Sequence, residues 1–289
     1  RRKRSIQNVI RLIMKHLKKI IRKYLPERIT KSLYYLHEHF IIFFYNVLPN
    51  KYHFPLYFYL NRSLHDPEML YITKLLKQKR TFIDIGSNFG IFSYYFSSIF
   101  ENIKSFEPTK EVTEKLNSLN KKNITIFNCA LSDSSGEKEF FIPIMNLPMA
   151  RKLTLYSHGS LENRDNIIKN GKIEKRLVKI NTLDNYSFQN VDLIKIDVEG
   201  HESKVIQGSL NTIKNNKPFL IVEIEQRHIK KKINEVFQEI EQLGYDGHYL
   251  TNNKLKSINS FSYEADQKPY LSSLSHDKGY INNFIFIPK

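Results

Sequence analysis

The run Thr81-Phe82-Ile83-Asp84-Ile85-Gly86-Ser87-Asn88-Phe89-Gly90-Ile91-Phe92-Ser93 reads as a buried strand, a tight turn and a helix. Phe82, Ile83 and Ile85 are the apolar stretch of a strand covered on both faces. Gly86 ends it, where the backbone must turn sharply or approach a ligand closely. Ser87 or Asn88 is placed to cap the helix that follows, expected over residues 88–99, with Gly90 in its first turn.

The order is Asp-x-Gly-x-Asn-x-Gly rather than Gly-x-Gly-x-x-Gly. The second pattern seats a pyrophosphate on a helix N-terminus. An acid ahead of the turn suits a cofactor with a cationic end. S-adenosylmethionine has one, an ammonium beside a sulfonium. Glu107, in Lys104-Ser105-Phe106-Glu107-Pro108, lies 21 residues past Gly86. An acid about 20 residues beyond the glycine turn is where a ribose-hydroxyl ligand belongs. The bland alternative is an ordinary α/β turn with a chance carboxylate.

The 289 residues suffice for one domain with an extension, or for two small domains. A single cysteine, Cys129, excludes an internal disulfide framework and a cysteine-rich zinc site. Net charge is +16, and residues 1–50 hold 12 Lys/Arg against 2 Asp/Glu, a net +10. Attraction to anionic lipid or nucleic acid is therefore expected first in that arm. The chain opens Arg1-Arg2-Lys3-Arg4 without a methionine, as a fragment or a processed product would.

Residues 5–25 place Ile6, Val9, Ile10, Ile13, Leu17, Ile20, Ile21 and Tyr24 at helical spacing among lysines and arginines. This is a basic amphipathic helix, suited to an anionic membrane surface or to packing on protein. Residues 32–48 are aromatic and aliphatic, but their uninterrupted apolar core falls short of the ~20 residues of a span. No small-residue cleavage site follows, so a signal peptide fits poorly. A cytoplasmic chain, peripheral to the membrane at most, is the expectation.

From residue 81 strands and helices alternate: strands 81–86, 102–107, 123–129, 139–143, 176–183, 191–197, 218–225, 245–250 and 281–288, with helices 109–119, 201–214 and 229–242. Such alternation argues for a mostly parallel, helix-covered sheet. Residues 1–69 form a basic helical extension in this reading and 70–289 the domain.

A second dense stretch is Val191-Asp192-Leu193-Ile194-Lys195-Ile196-Asp197-Val198-Glu199-Gly200-His201-Glu202. Ligands in open α/β sheets bind beyond the carboxyl ends of the strands. That places Asp197 in the same crevice as Asp84 and Glu107. Asp197 could equally cap the next helix, with Glu199 and Glu202 favouring its positive end.

Lys-Ile-Asp-Val-Glu-Gly-His-Glu, followed by Val205-Ile206-Gln207-Gly208, resembles the hallmark of the FkbM family of S-adenosylmethionine-dependent methyltransferases. Phe82–Gly90, Phe106-Glu107-Pro108, Cys129-Ala130-Leu131-Ser132-Asp133, Asn181-Thr182-Leu183-Asp184 and Pro218–Glu223 resemble its other blocks, covering roughly residues 70–289. The resemblance implies a class I methyltransferase (Rossmann-like) α/β fold and O-methylation of a sugar, glycolipid or small natural product. It implies that Asp84, Gly86, Ser87, Asn88 and Gly90 surround methionine and ribose, that Glu107 takes the ribose, and that Ala130, Leu131 and Asp133 lie near the adenine.

A sugar hydroxyl is a poor nucleophile at neutral pH, so a general base is expected. Asp197 is the first candidate, His201 the second and His158 the third. Asp197, Glu199, Glu223 and Glu225 could hold Mg²⁺, although ion pairs with lysines account for them better. RNA ribose methylation is the alternative enzyme reading. Against nucleic acid, the basic excess lies in the arm and no recognised RNA-binding module is evident. A non-catalytic, membrane-associated protein of the same fold is the alternative from another class.

Overall fold

A computed structural model describes residues 67–117, 121–144, 159–163, 172–271 and 279–289. All belong to the unit running from Leu60 to Lys289. The expected amphipathic helix of residues 5–25, the aromatic segment 32–48 and His158 lie outside the described residues.

Helix α1 (Pro67–Leu75) leads into strand β1 (Thr81–Ile85). Then come α2 (Ile91–Phe96), β2 (Asn102–Phe106), α3 (Lys110–Asn117) and β3 (Ile124–Phe127). Strands β4 (Ala130–Leu131), β5 (Gly136–Ile144) and β6 (Lys172–Asn181) form a separate sheet in the order β4-β6-β5. The chain returns through β7 (Val191–Ile196), α4 (Glu202–Gln207), α5 (Leu210–Asn216), β8 (Phe219–Glu223) and α6 (Ile233–Glu241). It closes with β9 (Tyr245–Thr251), β10 (Lys254–Ser257) and β11 (Asn283–Pro288).

The main sheet runs β10-β9-β11-β8-β7-β1-β2-β3. Strands β8, β7, β1, β2 and β3 are parallel, and β11 is antiparallel to both its neighbours. Every residue of β1 and β7 is buried, as two covered faces require. Side-chain alternation sorts their apolar groups. Phe82 and Leu193 join Met69, Ile72, Phe92 and Phe96 on one face. Ile83, Ile85, Ile194 and Ile196 join Val205, Ile213, Val236, Phe237 and Ile240 on the other. In α6 the buried residues Ile233, Val236, Phe237 and Ile240 follow the i, i+3, i+4, i+7 stripe. At the start of β1, Arg80 donates from its backbone nitrogen (2.7 Å) and its guanidinium to Asp192 of β7, fixing the register.

Three local expectations change. The helix after Gly86 begins at Ile91, because Gly86, Asn88 and Gly90 all take left-handed backbone (φ 71°, 46° and 76°). Gly90 is therefore the N-cap rather than part of the first turn, and neither Ser87 nor Asn88 caps α2. The expected helix 201–214 breaks into α4 and α5, with Gly208 at the end of α4 against Ser132: a β-carbon at Gly208 would stand 1.9 Å from the Ser132 carbonyl oxygen. The expected strand 123–129 stops at Phe127, and residues 130–131 pair with β6 in the second sheet.

Candidate active site

The tips of β1, β2 and β7 meet in a cavity. Its walls include Gly86, Asn88, Glu107, Ala130, Leu131, Gly159, Leu161, Asp197, Glu199 and His201. The backbone of Gly86 lies so close to that of Asp197 that a β-carbon on Gly86 would fall 1.8 Å from the Asp197 carbonyl oxygen. Gly86 and Ser87 both donate backbone hydrogen bonds of 3.0 Å to the Phe106 oxygen, and Asp197 donates one of 3.1 Å to the Ile85 oxygen. The turn is thus fastened between two neighbouring strands.

Glu107 is buried at the end of β2. The backbone N–H of Asn88 donates to its Oε2 (3.1 Å) and that of Thr109 to its Oε1 (2.8 Å). Burial pushes its carboxyl up to about 7, against those two donors. A carboxylate has about four acceptor sites. Glu107 keeps capacity for two more hydroxyl donors.

Asp84 is also buried, but it is not among the cavity walls. Its parity within β1 matches Phe82, which puts it under α2. There Ser93 donates to Asp84 Oδ2 from its backbone nitrogen (3.1 Å) and hydroxyl (2.6 Å), and Ser93 Oγ lies 2.6 Å from Ser105 Oγ. Ser105, Asp84 and Lys195 are register partners on β2, β1 and β7, so they form one polar row beneath the helix. Oδ1 of Asp84 has no hydrogen-bond partner among the described residues. Burial raises the Asp84 carboxyl, and Lys195 opposes it.

Lys195 Nζ donates to Asp197 Oδ2 at 2.7 Å and sits 4.8 Å over the Phe92 ring. Burial pulls this ammonium down, but Asp197 and Asp84 together outweigh it and hold it above the usual lysine range. Asp197 therefore faces a permanent cation on one oxygen, and its side chain remains 27% exposed. Sequence reasoning gave Lys195 no role. Its signal was a lysine two residues before Asp197, between Ile194 and Ile196, in a strand whose other charged residue is Asp192.

His201 lines the same cavity, yet both ring nitrogens are occupied. Nδ1 lies 2.7 Å from Glu162 Oε1 and Nε2 lies 2.9 Å from Ser132 Oγ. Asp133 accepts from Ser132 Oγ (3.0 Å) and Lys204 Nζ (3.2 Å), outside the cavity walls. Ser87 and Gly90 also lie outside those walls. Glu199, held at φ 56°, pairs through Oε2 with His228 Nδ1 at 3.0 Å. Glu202 is buried and pushed up to about 8, chiefly by burial, with Gly200 N donating to its Oε1 (2.8 Å). Glu223 accepts from Asn282 Nδ2 (2.7 Å), and Glu225 from Tyr280 and Arg227. Among the described residues no three His, Cys, Asp or Glu side chains cluster as a metal would need.

The donor set fits S-adenosylmethionine. A backbone cradle that only glycine permits, a buried carboxylate with spare acceptor capacity and an apolar wall at Ala130 and Leu131 stand together. Those are the groups that an amino-acid end, a ribose and an adenine call for.

The described residues include no helix long and apolar enough to cross a membrane. Residues 84–246 match the family model described as the methyltransferase FkbM domain. No curated protein matches the chain. The FkbM methyltransferase from Methylobacillus flagellatus KT resembles it at 13% identity and a TM-score of 0.46, over 81% of this chain and 52% of that one. This chain thus spans about half the length of that structure. An rRNA methylase from Streptococcus thermophilus resembles it at 10% identity and a TM-score of 0.36, over 76% of this chain and 91% of that one. A Streptococcus mutans protein solved in complex with SAH does so at 11% and 0.37, over 76% and 94%. The match to the family model runs from Asp84 through the Asp197–His201 turn to Asp246, more than half of the chain, with a class I α/β sheet beneath it: this protein belongs to the FkbM family of S-adenosylmethionine-dependent methyltransferases.

Proposed function

We propose that this methyltransferase transfers a methyl group to a hydroxyl oxygen of a sugar, glycan or related natural product, with Asp197 as the general base. The observation that carries the reading is the sharing of one cavity by Glu107 and Asp197. One is a buried acceptor suited to a ribose, and the other a partly exposed carboxylate at the adjacent strand tip.

When bound, S-adenosylmethionine supplies a methyl already activated by its sulfonium. Glu107 accepts from the ribose hydroxyls while the N–H groups of Asn88 and Thr109 hold its carboxylate in place. Gly86 lets the Asp197 backbone close onto the turn where the donor's amino-acid end would lie, and Ala130 and Leu131 would flank the adenine. Asp197 takes the acceptor's hydroxyl proton, and Lys195 orients its other oxygen. Positioning of this kind, together with a base, supplies the acceleration an activated donor still needs.

His201 is a weaker candidate for the base, since both its nitrogens already have partners. The basic, amphipathic pattern of residues 5–25 supports a role for the arm at an anionic membrane surface. A labelled-methyl transfer assay against fractionated cell glycans and lipids, read by mass spectrometry, tests the acceptor class. Label appearing on RNA ribose and on no glycan or lipid fraction would overturn it.

A further inference from the structure

His201 joins three stretches distant in sequence. It stands at the N-terminus of α4, directly after the turn that carries Asp197. Its Nε2 meets Ser132, the residue after the Ala130–Leu131 wall, and its Nδ1 meets Glu162. An ionised carboxylate can only accept, so Nδ1 is the donor in that pair. His201 itself is 1% exposed.

Glu162 belongs to a short strap, residues 159–163, of which Gly159 and Leu161 line the cavity. The strap is held to β5 by reciprocal backbone bonds between Ser160 and Phe141 (2.8 and 3.1 Å). Ser160 Oγ donates to the Glu199 oxygen at 2.8 Å. Leu161 packs with Phe140 and Ile142. Glu162 is the charged anchor of the strap, and its carboxyl is held below the usual range, chiefly by the hydrogen bond from His201. Lys138 lies 3.9 Å from the same oxygen.

We propose that Glu162 is a positioning residue for the donor site: through His201 it fixes the strap at the cavity and ties it to Ser132, the residue after the Ala130–Leu131 wall. Without the carboxylate, the His201 Nδ1–H is a buried donor with no acceptor, and such a group is costly to leave unmade. Ring, strap and Ser132 then lose their common anchor. The proposal rests on the reading of this cavity as the donor site.

Calorimetric titration of the full chain with S-adenosylhomocysteine tests it, since this needs no acceptor. Glu162→Ala is expected to weaken binding about tenfold, while Glu162→Gln, whose amide oxygen can still accept from Nδ1, stays within about threefold. Equal affinity in Glu162→Ala and the unaltered chain would overturn the proposal. Absence of binding in the unaltered chain would sink the donor-site reading itself, a distinct result. Amide exchange across residues 159–163 of the unaltered chain needs no variant. Slower exchange with S-adenosylhomocysteine present supports the proposal, and unchanged exchange overturns it.

Discussion

The carbonyl oxygen of Asp197 occupies the space beside Gly86 where any other residue would carry its β-carbon, 1.8 Å from where that atom would stand. Gly86 also has φ 71°, a backbone region unfavourable to L side chains. Gly86→Ala should therefore lower stability by roughly 3–4 kcal/mol, the sum of backbone and overpacking costs. Urea unfolding followed by circular dichroism measures this. A loss below about 1 kcal/mol would mean that the two strand tips part easily.

Glu107 offers a pH signature. Its folded carboxyl is raised to about 7 from an unfolded value near 4.5. A raised carboxyl favours the folded chain at low pH, so this group's contribution to stability is lost as pH rises through about 7. Donor binding should run the other way, because the ionised carboxylate accepts both ribose hydroxyls. Affinity for S-adenosylhomocysteine is expected to climb between pH 6 and 8 and then level off. Glu202 titrates in the same region, so the control is Glu107→Gln, which should flatten the climb. A profile identical in that variant would assign the pH dependence elsewhere.

Asp197→Asn should remove turnover, by about 10²–10⁴-fold, with donor affinity close to that of the unaltered chain. Single-turnover transfer and calorimetry on the same preparation separate the two. Turnover retained would remove Asp197 from the chemistry.

Lys195 neutralises two acids at once, so Lys195→Met strands Asp84 and Asp197 together. A loss of roughly 3–5 kcal/mol is expected near neutral pH. Asp84, already raised by burial, rises further without its cation and takes up a proton on acidification. The penalty should therefore shrink as pH falls. Denaturant midpoints at pH 5 and pH 8 give the comparison, and a penalty independent of pH would contradict the pairing.

The sequence carried much of this site in short runs. Glycine turn, spaced acid and Asp197 strand end are each local, and the parallel sheet brings their tips together by topology alone. Parity was legible too, though unused: Asp84 shares a face with Phe82, and Lys195 with Leu193, which puts both acid and lysine under α2. Other features had no local signal. Left-handed backbone at Gly86, Asn88 and Gly90 delays α2, something that two glycines and an asparagine permit but do not demand. The partnership of Glu162 with His201 spans 39 residues and depends on how the second sheet docks. Gly208 stands within the helix expected over residues 201–214, and nothing in that run signals the Ser132 backbone packed against it.

That contact at Gly208 reaches beyond the helix break. Besides touching Ser132, Gly208 accepts a backbone hydrogen bond from Asp184, at 3.0 Å, just after β6. The segments that follow β4 and β6 of the smaller sheet are thus seated on the end of α4, at a point with room for a hydrogen atom and nothing more. How closely those segments can approach the helix is gauged there by the absence of a methyl group.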